Sequence, residues 1–283
     1  MLSYRHFLLV SLAPAILLTA VQASDLKAIE KQSKMEFYGK NLLMSHPYLN
    51  NHLHFSPAGD LTERSEEGTW TMNGIIHVDD VEVKPNLVRI RATREIIILR
   101  TQDGRLGLQP ILLTKHLEVE LEPSSPIAAL DDVKQTIGRV LHEENLGRKI
   151  NEYWHGEVTV TGVDPKTGHM TMKGGGDGIY GYLEGNRPVY LPDEKIVPPK
   201  ATHKEGADYT KAASVKKTQG KTFILIVVNE KGFPEILHLL KDLGDDLDTQ
   251  TLAATSQWRF RPATKDGQPV AAVTRLEWEA VTY

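Results

Sequence analysis

No cysteine occurs in the 283 residues, which excludes disulfides, thiolate zinc sites, iron–sulfur clusters and cysteine nucleophiles. The fold must stand on packing alone. Basic charge is not in excess: 33 Lys and Arg face 37 Asp and Glu, for a net charge of −4. The chain therefore lacks the positive footprint that counterion release on nucleic acid requires. Glycine and proline, at 22 and 15 residues, fall far short of a low-complexity composition, so disorder is not the expected state. Long hydrophobic runs are also missing. The uncharged run Phe7 to Leu18 follows Arg5 and His6, contains Pro14, and is shorter than the ~20 apolar residues of a spanning helix. With small residues at Val21-Gln22-Ala23, residues 1–23 read as a secretory signal peptide. The expected product is a soluble periplasmic chain from Ser24, or an inner-membrane-anchored one if cleavage fails.

What is present is a β-rich pattern over residues 24–190, after a polar helical lead-in at Leu26 to Tyr38. Thr69 to Met72, Leu87 to Ala92, Ile96 to Leu99 and Leu117 to Leu121 are rich in strand formers, and Leu117, Val119 and Leu121 alternate with Glu118, Glu120 and Glu122. That period of two turns a charged face to water. Ser125 as cap and Pro126 at the first turn predict one amphipathic helix through Ile127, Leu130, Val133, Ile137 and Leu141, with Gly147 past its end. Asp164 to Gly168 predicts a hairpin turn between Glu157–Val163 and His169–Lys173. Gly174 to Gly178 lacks the Lys and the following helix of a phosphate loop and reads as a turn. Residues 191–207, with Pro192, Pro198 and Pro199, read as a linker.

Beyond it, residues 208–283 predict an α+β domain in which two helices cover a small antiparallel sheet of three strands. Asp208 is placed to cap a helix from Tyr209 to Lys217, and Lys221 to Val228 is strongly β-prone. A turn at Asn229-Glu230-Lys231-Gly232 leads to a strand from Glu235 to Leu240. Asp246 then caps a helix from Leu247 to Ser256, with Asp248 in its first turn. Trp258 is expected to seal the core. The final strand, Val270 to Val281, alternates Ala272, Thr274, Leu276 and Trp278 with Val273, Arg275, Glu277 and Glu279.

The chemistry-bearing residue types do not converge in sequence. His52 and His54 share a strand face but have no acidic residue nearby before Asp60, so with His46 they read as surface histidines rather than a metal site. Adjacent carboxylates such as Asp79-Asp80, Asp131-Asp132 and Glu143-Glu144 point to different sides and read as solvated charge. No nucleophile elbow occurs. Neither catalytic residues nor a metal or cofactor are expected.

The segment Tyr209 to Tyr283 resembles the TonB C-terminal domain family. The resemblance is carried by Tyr209 and Gly220, by Asn229-Glu230-Lys231-Gly232, and by Leu243-Gly244-Asp245-Asp246-Leu247-Asp248. Trp258-Arg259-Phe260-Arg261-Pro262-Ala263 and Lys265-Asp266-Gly267-Gln268-Pro269-Val270 complete it. It implies a non-enzymatic periplasmic module that recognises outer-membrane transporters, as in TonB-dependent transport. Residues 24–190 resemble uncharacterised regions joined to this domain. Thr210 stands where the family often has Pro, and Ala212 where it has a basic residue. Ser3 and His6 do not form the spaced pair of the transducer membrane helix. Partner recognition therefore carries over better than energy transduction.

The expected partner is an extended peptide of an outer-membrane transporter or other envelope protein, added to the last strand as a sheet edge. The candidate partner-binding residues are Val273, Arg275, Glu277, Glu279 and Tyr209. The alternative is a periplasmic enzyme or carbohydrate-binding protein that acts through residues 24–190 and docks through the C-terminal domain. Processing is directly checkable: N-terminal sequencing of the exported protein should begin at Ser24. An intact Met1 in the membrane fraction would restore the anchored form.

Overall fold

The computed structural model describes residues 23–102, 105–143, 145–164, 166, 169–244 and 246–281. The apolar run and Pro14 of the expected signal peptide lie outside them, as do three residues of the Asp164 to Gly168 turn. Among the described residues no helix is long and apolar enough to cross a membrane.

The first part of the chain runs α1 (Ala23–Phe37), β1 (Asn41–Met44), β2 (His52–Phe55), a π-helical turn (Trp70–Gly74), β3 (Ile75–Lys84), β4 (Leu87–Gln102) and β5 (Arg105–Leu121). The strands β3, β4 and β5 pair antiparallel in sequence order, and β2 adds to β5 in parallel. Alternation decides the two faces. Val88, Ile90, Leu117, Val119 and Leu121 point inward, under α1 and α2 (Leu130–Gly138). Arg89, Glu118 and Glu120 form ion pairs on the other face.

Helix α2 starts later than Ser125. Ile127 is fully buried and its N–H donates to Pro85 O at 2.8 Å, which holds it outside the helix. The Asp132 carboxylate accepts from the N–H groups of Ala128 and Ala129, both at 2.8 Å, so the cap falls at Ala129. Leu141 lies beyond the helix, in β6 (Leu141–His142), where it pairs with Met44 of β1. A further helix, α3 (Leu146–Tyr153), follows, unanticipated from the sequence.

The π-helical turn replaces the strand expected at Thr69 to Met72. The Thr69 hydroxyl donates to Pro234 O at 3.1 Å, and the Thr71 hydroxyl donates to Glu235 O. These tertiary hydrogen bonds override local β propensity. Arg94 braces the turn from behind: 3% exposed, it donates to Asn73 O (2.6 Å), Tyr48 O (2.8 Å) and Asn50 O (2.6 Å). Burial alone lowers its pKa, to about 10.

The middle of the chain holds β7 (Trp154–Gly156), the hairpin of β8 (Val158–Val163) and β9 (Met170–Gly174), then β10 (Ile179–Leu183) and β11 (Arg187–Tyr190). Glycine is required where β9 ends, because Gly174 has φ +100° and a Cβ there would lie 2.3 Å from Glu157 O.

Residues 191–207, expected as a linker, carry β12 (Ile196–Val197) and β13 (Lys200–His203). The remaining elements are α4 (Lys211–Lys216), β14 (Gly220–Val228), β15 (Pro234–Lys241), α5 (Leu247–Ser256), β16 (Arg259–Arg261), β17 (Ala263–Lys265) and β18 (Gln268–Ala280). β12 pairs with β17 and β13 with β16, so the segment is hydrogen-bonded to the strands after α5. Thr210, not Asp208, caps α4: its hydroxyl accepts from Ala213 N–H at 3.0 Å. Asp246 precedes α5 with φ +60° and makes no side-chain cap bond. Asp248 instead accepts from the N–H groups of Leu243 and Gly244, both at 2.9 Å.

β14 pairs antiparallel with β15 on one side and β18 on the other. This sheet is not isolated. β4, after leaving β3 at Glu95, pairs in parallel with β15 from Ile98 to Arg100, and β11 pairs in parallel with β18 at Ala271 and Ala272. Both faces are covered. Ile224, Ile226 and Leu237 pack with Leu252 of α5 and with Ile96 and Ile98 of β4. Leu225, Val227, Ile236 and Val273 pack under Tyr153, Trp154, Tyr180 and Val189. At ~1.5–3 kcal/mol for each large apolar side chain buried, this second cover is a major stabilising term.

Trp258 is 7% exposed, lies 5.4 Å from the Trp278 ring and donates its Nε1–H to Glu205 O at 2.9 Å. Trp258→Ala should therefore cost ~3–5 kcal/mol. A loss under ~1 kcal/mol in urea melts would contradict its core role.

On the second face His238 is 2% exposed, with Nδ1 3.2 Å from the Tyr180 hydroxyl. Burial lowers its pKa from 6.5 to about 4. Between those values the unfolded chain binds a proton that the folded chain does not, so stability present above about pH 6.5 is lost as pH falls toward 4. The contribution reaches ~3 kcal/mol at most. In urea melts from pH 7 to 4.5, His238→Leu should flatten that slope; an unchanged slope would refute the assignment.

Candidate functional site

The strand β18 has one edge bound to β14 along its length, from Ala272 opposite Val228 to Ala280 opposite Gly220. On its other edge β11 pairs with Ala271 and Ala272, and at the start of the strand β17 pairs with Gln268 to Val270. Among the described residues no strand pairs with that edge from Val273 to Ala280.

The side chains along this run follow the alternation. Arg275, Glu277 and Glu279 are exposed, whereas Leu276 and Trp278 are half-buried against the α5 core. Glu277 accepts from Lys221 Nζ at 2.5 Å, which raises the Lys221 pKa. The Arg275 guanidinium sits 5.7 Å from the Phe223 ring centroid. Val273 differs from its three companions: it is 1% exposed and packs in the second-face core. Its side chain is thus removed from any partner surface, because the cover of that face extends to Val273 and stops before Arg275.

Tyr209, far from β18 in sequence, is brought to its end. With Trp278, Glu279, Thr222, Leu243 and Leu247 it lines a cavity of about 300 Å³. The Tyr209 hydroxyl donates to Thr218 O at 2.5 Å, which fixes the ring over the end of α4. Arg275, Glu277 and Glu279 thus project from one face of β18, and Tyr209 lies at the end of the strand on the side of Trp278.

A second, larger cavity of about 500 Å³ lies between the π-helical turn, α3, the chain before β11 and the β14–β15 turn. Gly232 makes that turn possible, with φ +85° and a Cβ position only 2.0 Å from Phe260 O. At the wall stands Glu235, 4% exposed. Its Oε1 accepts from the Tyr153 hydroxyl and from Arg187 at 3.2 Å, and Arg187 also reaches Glu230 at 2.8 Å. Burial opposes the charge of Arg187, but Glu235 and Glu230 more than offset it and its pKa is raised. The Tyr153 pKa is raised well above the ordinary value by burial and then by Glu235. The Trp70 ring meets Tyr153 edge-on at 4.7 Å and carries Lys149 Nζ 5.6 Å from its centroid. This constellation joins residues up to 165 positions apart, counting from Trp70 to Glu235. No spacing rule could assemble it.

The parallel pairing of β2 with β5 sets His52 opposite Glu118 and His54 opposite Glu120. Ligand atoms of His52, Glu118 and Glu120 fall within 4.8 Å of one another, supplying the acidic neighbours that local sequence lacked. Arg89 competes for them, 2.6 Å from Glu120 and 3.4 Å from Glu118. The cluster is accordingly an ion-pair network on an open face, of the kind that contributes little to stability.

Against known proteins, the family model described as the Gram-negative bacterial TonB protein C-terminal matches residues 205–279. No curated protein matches the chain. Among solved structures it is similar to the solution NMR structure of the Pseudomonas aeruginosa TonB CTD. That likeness has 20% identity and a TM-score of 0.25, and covers 32% of this chain and 92% of that one. Residues 205–279, with their sheet of β15, β14 and β18, belong to the TonB C-terminal domain family.

Proposed function

We propose that this protein is a non-enzymatic envelope module whose β18 edge accepts an extended peptide of an outer-membrane transporter or another periplasm-facing protein. The observation that carries this reading is the run from Val273 to Ala280, unpaired on one side among the described residues in a domain of the TonB C-terminal family. A strand edge offers N–H and C=O groups whose hydrogen bonds supply affinity, while alternate side chains select the partner. Arg275, Glu277 and Glu279 are the selecting groups, and the charges also discourage pairing with a second copy. Tyr209 and Glu279 at the 300 Å³ cavity accommodate one larger side chain at the end of the added strand.

The run spans eight residues, the length of an ordinary strand. Periplasmic residence follows from the same family reading, together with cleavage after Ala23. Residues 24–190 then act as the scaffold that closes the second face of the sheet and leaves this one strip open.

The test is an NMR titration of the whole exported chain with transporter peptides recovered in an envelope pull-down. Amide shifts and new exchange protection should follow Val273 to Ala280, and Glu277→Ala should change affinity only a few-fold, as exposed ion pairs do. Methylating alternate backbone nitrogens of the peptide should abolish binding. Val273→Pro is a poorer probe, because that side chain is also core. Shifts confined to Tyr209 to Lys217, with β18 unchanged, would sink the model.

A further inference from the structure

We infer that the outward face of the ribbon formed by β13 and β16 binds a phosphate group, held between Lys200 and Arg261. This site is separate from the β18 edge and does not depend on strand addition.

The register of charges sets this ribbon apart. Among the described ladders, charged side chains placed opposite one another elsewhere differ in sign: Arg89 faces Glu82 and Glu120, Arg91 faces Asp80 and Glu118, and Lys221 faces Glu279. In β13 and β16 the partners are alike. Lys200 lies opposite Arg261, and His203 opposite Arg259. Side chains directly opposite on a ladder stand ~5 Å apart at Cβ, where like charges are destabilising.

Alternation turns both pairs to one side. Between them Ala201 and Phe260 face each other and pack into the α5 core, so Lys200 and Arg261 project away from it. A bulge between Ala201 and His203 then sets His203 opposite Arg259. That second pair is engaged by its own neighbours. His203 Nε2 lies 3.8 Å from Glu205, and Arg259 donates to Gln257 O (3.1 Å) and Trp258 O (2.8 Å) with its guanidinium 4.5 Å from the Phe233 ring centroid. Burial lowers the Arg259 pKa, which the Glu66 charge only partly opposes. Lys200 and Arg261 are both exposed, and neither has an ion pair or side-chain hydrogen bond among the described residues.

An anion seated between Lys200 and Arg261 turns their repulsion into two attractions. A phosphomonoester carries about two charges and three strong acceptor oxygens in one group. It can therefore occupy the guanidinium fork with two oxygens and meet the ammonium with the third. A single carboxylate carries one charge on two oxygens, and the fork takes both. A soluble phosphate ester and a lipid headgroup present the same group.

The test records backbone amide shifts of the full exported chain during titration with methyl phosphate at fixed ionic strength, with acetate and triglutamate as carboxylate controls. Lys200 and Arg261 should shift saturably with methyl phosphate, while Val273 to Ala280 stay in place. Lys200→Ala and Arg261→Ala should each weaken binding about tenfold, as loss of a charged hydrogen-bond partner does. Lys200→Glu should abolish binding and raise the melting temperature at low salt, because it sets opposite charges across the ladder. Sedimentation with phosphatidylcholine vesicles, with and without phosphatidic acid, separates the two sources. Co-sedimentation that needs phosphatidic acid and is lost in Lys200→Glu assigns a lipid headgroup; a methyl phosphate response without it assigns a soluble ester. Four results would overturn the assignment: no response to either form of phosphate, an equal response to acetate or triglutamate, unchanged affinity in both alanine variants, or a lower melting temperature in Lys200→Glu.

Discussion

Two-sided burial of β14 is the constraint on which the rest of the molecule turns. From Thr222 to Val228 every residue is buried, so neither face of this strand can meet water. One helix covers only one face of a small sheet. The second face has to be closed by other parts of the chain, and here Tyr153, Trp154, Tyr180 and Val189 close it. β4 and β11 extend the same sheet at its two sides by backbone pairing.

The same cover shapes what remains accessible. β11 reaches β18 only at Ala271 and Ala272, and β17 only as far as Val270. The side-chain cover ends at Val273 and the exposed charges begin at Arg275. Closure of the second face and availability of the strand edge are therefore two outcomes of one packing arrangement. The larger cavity has a related origin: Thr69 and Thr71 hold the π-helical turn to the start of β15, and the space beside this junction is lined by both halves of the chain.

Elements with strong local signals were legible in the sequence. The alternation of Leu117 to Glu122, the helix bounds Leu247–Ser256 and the burial of Trp258 all follow from periodicity, capping positions and side-chain size. Elements set by distant partners were not. Thr69 to Met72 carries β propensity but is bent into a π-helical turn by bonds to Pro234 and Glu235. Ile127 fits a helix pattern yet is held by Pro85 O. Residues 191–207 look like a spacer because two- and four-residue strands leave almost no periodic trace. Along the candidate strip, the exposure of Arg275, Glu277 and Glu279 was readable by alternation. The unbroken apolar run Phe223 to Val228 is the mark of a strand buried on both faces. It foretells that residues beyond the C-terminal domain cover it, and that Val273 on the same face is core.

If β4, β15, β14, β18 and β11 are one sheet, they should unfold together. Native-state hydrogen exchange in low concentrations of urea measures this most directly, because it gives each backbone N–H its own opening free energy. The amides of Ile97 and Ile98 in β4 should open with the same free energy and urea dependence as those of Leu225 and Ile226 in β14. Exchange of the β4 amides while β14 stays protected would contradict the account, showing that the C-terminal sheet holds without its second cover.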